Sequence, residues 1–208
     1  MDKAGIIISS LAFNLLAWQP RGAGSIMARG FLFSPRYKSH HDSGRIPIWF
    51  RGILIEDGCV VSWFASELTH HDEAIHKQSR GEAEGQQNWE ALCVLVAVRC
   101  WATRWLDKRV SITMKSDNMA ALSLAARLKS KVSSLIAKET ALVYSSASFQ
   151  PRYVEHIPGV LNYSADALSR LTDPSGGYEV PPYLPSQLRV QLPVRAHGYY
   201  RTLTRHGR

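Results

Sequence analysis

Three carboxylates stand where their neighbours are apolar or where a strand should end: Glu90 in "NWEAL", Asp117 in "KSDNMAAL" and Asp166 in "SADALSRL". A carboxylate beside apolar surface is costly to desolvate unless a partner or a metal meets it. Each has a plain structural explanation as well. Glu90 and Asp166 suit the positive end of a helix, and Asp117-Asn118 suits a helix cap. Taken together they fit one chemistry. Phosphodiester hydrolysis with two magnesium ions needs several carboxylates at one place, because hard cations take oxygen ligands and bridge attacking and leaving oxygens.

The elements that would position these groups read as an α/β domain with a mixed sheet. "GILIEDGCVVSWFA" holds two apolar runs joined by Asp57-Gly58, a dipeptide suited to a tight hairpin. "ELTHHDEAIHKQSRGEAEGQQ" is polar and reads as a loop or irregular crossover. "NWEALCVLVAVRCWATRWL" (88–106) predicts a helix capped by Asn88, with Glu90 in its first turn and apolar residues on nearly every side. "VSITMKSDN" alternates like a strand ending near Asp117, which is where α/β sheets place ligand sites. "MAALSLAARL" and "SSLIAKETALVYSSA" predict two helices, "RYVEHI" a short strand, and "YSADALSRL" a closing helix stopped before Pro174.

The bulk properties agree with a globular nucleic-acid partner. The chain has 208 residues, 45% of them hydrophobic, enough for one domain with extensions. Its 25 Lys and Arg against 17 Asp and Glu give a net charge of +8, a bias toward polyanions. Three cysteines, Cys59, Cys93 and Cys100, have no zinc or disulfide spacing and read as reduced thiols. No apolar run reaches the roughly 18 residues of a spanning helix. "AGIIISSLAFNLLAW" resembles a signal-peptide core only weakly, because Asn14 interrupts it and Asp2 precedes it. The expectation is a soluble intracellular protein, cytoplasmic or nuclear, with no membrane partner. Residues 1–45 read as a divergent, poorly ordered extension, 46–172 as the domain, and 173–208 as a Pro/Arg-rich tail.

"NWEAL", "KSDNMAAL" and "HIPGVLNYSADALSRL", in that order, resemble the ribonuclease H domain of retrotransposon reverse transcriptases, especially gypsy-like and tyrosine-recombinase-type retroelements. The resemblance spans about residues 46–172. It implies a ribonuclease H-like mixed sheet flanked by helices, and an endonuclease (a hydrolase) that cuts RNA in RNA–DNA hybrids with Mg2+ or Mn2+. It implies Glu90, Asp117 and Asp166 as metal ligands and His156 as the loop histidine that aids protonation or product release. A transposase or integrase on the same fold would order its acids differently.

The family's fourth acid belongs on the first strand, in a motif like Asp-Ala-Ser. Counting back from Gly52 puts it at about Gly44, and the nearest carboxylate is Asp42 in "HDSG", two positions out of register. The resemblance therefore implies an enzyme impaired by loss of that Asp, from a truncated or rearranged copy lacking its polymerase part. The alternative is a non-catalytic nucleic-acid-binding relic of a reverse transcriptase.

Overall fold

The structure is a computed structural model, and it describes residues 4–9, 30–32, 49–79, 82–106, 111–116, 118–129, 133–147, 149, 151, 153–156 and 180–204. Strands β1 (Ala4–Ser9), β2 (Gly30–Leu32), β3 (Trp49–Glu56) and β4 (Cys59–Glu67) form one sheet in the order β2-β1-β3-β4. β1 runs antiparallel to β3 and β3 antiparallel to β4. The β3–β4 turn is Asp57-Gly58, with φ of 52° and 80°. Positive φ at both central residues matches the twist of the flanking strands, and Gly adopts it without strain.

Two segments of the expected poorly ordered extension form strands. Ala4–Ser9 and Gly30–Leu32 lie within the stretch 1–45 that composition marks as an extension, yet both join the sheet. "GIII" has the β-branched content a strand favours, and its pairing partner lies far along the chain at Ile53–Glu56.

A second, parallel pair follows. β5 (Thr113–Ser116) and β6 (Tyr153–His156) register Thr113 with Tyr153 and Ser116 with His156, and β5 runs close beside β1. Parallel neighbours need a crossover, supplied by α3 (Met119–Arg127) and α4 (Ser134–Ala147). The architecture is mixed α/β.

α2 (Ala83–Trp101) is the central helix, followed by a 3-10 turn at Ala102–Trp105. Every residue from Asn88 to Val98 is buried, in keeping with a helix apolar on nearly all sides. It packs on β3 and against α3 and α4. The sheet's other face carries a smaller cluster of Ile53, Trp63 and Leu184.

The polar stretch after β4, expected as a loop, contains helix α1 (His70–His76). Thr69 and Asp72 form a reciprocal capping box. Thr69 Oγ1 accepts from Asp72 N at 3.4 Å, and Asp72 Oδ2 accepts from Thr69 N at 2.8 Å. Residues 180–204, from the stretch read as a tail, fold back onto the domain. Val190 N donates to Trp63 O at 2.8 Å, Trp63 Nε1 donates to Pro185 O at 2.9 Å, and Leu184, Arg195 and Tyr200 are buried. Among the described residues no helix is long and apolar enough to cross a membrane.

His76 ends α1 with Nε2 3.0 Å from Tyr200 Oη and its ring edge-on to Trp89. Burial pushes its pKa down to about 4 from 6.5, against an opposing pull from Asp72. The folded state therefore binds fewer protons than the unfolded chain between these values. This contribution is complete above pH 6.5 and is lost as the pH falls toward 4, by up to ~1.4 kcal/mol per pH unit. Urea unfolding at pH 7, 6 and 5 should show the decline, and His76→Gln should flatten it. An equal decline in the variant would assign the effect to other groups.

Candidate functional site

Glu90 sits on α2, but not in its first turn. The helix begins at Ala83 with Glu82 as its N-cap residue, so Asn88 lies inside the helix and Glu90 about two turns in. Residues 83–87 add a turn ahead of Asn88, where a sequence reading favours a start at the first Asn before the apolar run. Asn88 does not cap; it is buried, and Asn88 Oδ1 finds no hydrogen-bond partner among the described residues.

Glu90 is 1% exposed. One turn earlier, Gln86 Nε2 donates to Glu90 Oε1 at 3.4 Å. One turn later, the Cys93 thiol donates to Arg51 O, and burial pushes its pKa up to about 12, with Glu90 adding to the rise. Arg51, on β3, is buried as well, and burial brings its guanidinium down to about 9. Sequence reasoning missed Arg51; its only signal was a cation within an apolar strand run. A buried carboxylate amid such groups needs compensating charge or hydrogen bonds.

β5 stops at Ser116, directly before Asp117. Asn118 is the N-cap of α3, and its Oδ1 accepts from Ala120 N at 2.7 Å and Ala121 N at 3.0 Å. Ser116 Oγ accepts from Asn118 N at 3.0 Å, tightening the strand-to-helix corner. The capping role open to Asp117-Asn118 thus falls to Asn118.

His156 is exposed at the carboxyl end of β6, in register with Ser116. The two parallel strands therefore end side by side, the place where α/β sheets present ligand groups. One step back, buried Lys115 forms an ion pair with exposed Glu155. Glu155 is held by that lysine, and His156 follows it, exposed, at the end of the strand.

Asp117, Asp166 and Asp42 lie outside the described residues, as does Gly44. The structure thus places Glu90 on the buried helix and His156 at the strand ends, and among the described residues no three His, Cys, Asp or Glu side chains group as a metal site. The donor chemistry of the three acids, oxygen throughout, suits a hard cation such as magnesium. β1 pairs with β3 on the side opposite β4, and none of Ala4–Ser9 is acidic. No protein-family model, curated protein or solved structure matches the chain.

Proposed function

We propose that the chain is a ribonuclease H-like domain of retroelement origin, acting on the RNA strand of RNA–DNA hybrids with reduced turnover. The observation that carries this reading is the burial of Glu90 in the central helix of a mixed α/β sheet. It is joined by the side-by-side ending of β5 and β6 immediately before Asp117 and at His156. Glu90, Asp117 and Asp166 would hold magnesium, which when bound polarises phosphate oxygens and lowers the pKa of water. The chain's own groups do the rest. Glu90 is fixed by its helix, so its carboxylate is positioned before any ligand arrives. His156 is exposed and would pass a proton to the leaving oxygen.

One observation favours the second reading, a nucleic-acid-binding relic without turnover: β1 supplies no carboxylate. Cleavage of a labelled hybrid with and without magnesium, in the unaltered chain and in Glu90→Gln, separates the two. Magnesium-dependent cutting that Glu90→Gln abolishes supports the enzyme. Binding without cutting in both supports the relic.

Either reading expects binding driven by phosphate contacts. Arg127, Lys129 and Lys138 are exposed on and just after α3 and on α4, and Lys131 of the same run lies outside the described residues. Three or four phosphate contacts should weaken affinity by about 40- to 150-fold between roughly 50 and 200 mM salt, since counterion release scales with contacts. Fluorescence anisotropy on a labelled hybrid across that range checks this. A flat affinity would rule out a phosphate-tracking surface.

A further inference from the structure

We infer that residues 195–204 act as an intramolecular latch that fixes α1 and, through it, the amino-terminal half of α2. Helix α1 has seven residues, too few to persist without tertiary support, and its main apolar anchor is the partly buried Ile75. The latch grips it at both ends. At the first turn, buried Arg195 forms a two-nitrogen fork on Asp72. Its Nε donates to Oδ1 at 2.9 Å and its Nη2 to Oδ2 at 3.0 Å. The same guanidinium donates to Ser66 Oγ at 2.8 Å and to Glu67 O at 2.6 Å, so it also ties the end of β4. At the last turn, Tyr200 Oη meets His76, whose ring lies edge-on to Trp89, the residue before Glu90.

The far end of the latch is held by a second buried carboxylate. Glu139 of α4 accepts from Thr202 N at 2.6 Å and from Thr202 Oγ1 at 2.5 Å, and it pairs with Arg99 of α2. Arg99 in turn donates to Tyr199 O and lies 4.4 Å over the Tyr199 ring. Asp72 and Glu139 are both fully buried, and each draws a donor from the latch. Removing the latch would leave Asp72 without its arginine, so α1 and the latch should open together. The device thus governs how firmly the helix turns up to Glu90 are held. Its bearing on catalysis rests on the ribonuclease reading; its existence does not.

Amide hydrogen exchange on the full chain, without substrate or metal, tests it. The variants are Arg195→Lys, which keeps the charge but loses the fork, and Tyr200→Phe, which keeps the ring but loses the hydroxyl. In Arg195→Lys, exchange at 69–90 and 195–204 should rise together by about tenfold or more, as expected for loss of charge-assisted hydrogen bonds in one local opening unit. Exchange at 53–56 of β3 and at 183–190 should stay unchanged. Faster exchange of 195–204 alone would overturn the latch, as would an equal rise at 53–56 or no change anywhere. If Arg195→Lys does not fold, Tyr200→Phe decides by the same criteria.

Discussion

An RNA–DNA hybrid incubated with the full chain and magnesium is expected to be cut roughly a hundredfold or more slowly than by a ribonuclease H with four carboxylates, because one missing metal ligand forfeits several kcal/mol of transition-state stabilisation. β1 (Ala4–Ser9), which pairs with β3 on the side opposite β4, offers no acid. Magnesium demands near-ideal octahedral oxygen geometry, so three carboxylates should hold one ion weakly and a second hardly at all. Glu90→Gln, Asp117→Asn and Asp166→Asn should each abolish the residual cutting, and Asp42→Ala should change little. Rapid cleavage by the unaltered chain, lost in Asp42→Ala, would show that Asp42 supplies the fourth ligand and that the impairment does not exist.

Trp101→Ala is expected to lower the unfolding free energy by about 3–5 kcal/mol, the range for emptying a large aromatic site in a core. Trp101 is 1% exposed and its ring centroid lies 5.3 Å from that of Phe64. Its Nε1 donates to buried Ser62 Oγ at 3.0 Å, so truncation also strands a hydroxyl. Nor can the site be refilled from β3. A Cβ on Gly52 would lie 2.6 Å from Phe64 Cε1 and 3.0 Å from Trp101 Cη2, so glycine is what lets the strand approach the two rings. Urea denaturation monitored by circular dichroism measures the loss. A change below about 1 kcal/mol would mean that the surrounding side chains collapse into the space.

The parts of the fold legible in the sequence are those set by local chemistry. Asp57-Gly58 announced its hairpin because two consecutive positive φ angles demand such residues. Asn118 announced the start of α3, and the apolar length of α2 announced its burial. What escaped depends on distant partners. Helix α1 is short and polar, and Asp72 finds its arginine 123 positions away. β1 looks like an isolated apolar run until β3 pairs with it. The segment around Arg195 is proline-rich and extended, as composition indicates, but composition cannot show that its arginine and tyrosines enter buried sites. Of the site, the burial of Glu90 and the end of β5 just before Asp117 were legible. The start of α2 was not, because Gln86 and Gln87 are as acceptable on a helix as in a loop.

The backbone bond from Val190 to Trp63 has a consequence beyond a single molecule. β4 is the last strand of its sheet, and a marginal strand offers its amides and carbonyls to any extended chain, including another copy. Here that place is taken in part by the protein's own residues, with Arg189 lying over the Trp63 ring. The polypeptide that a boundary at 172 would discard is thus a guard against self-pairing, and the trimmed domain would meet its neighbours with an open edge.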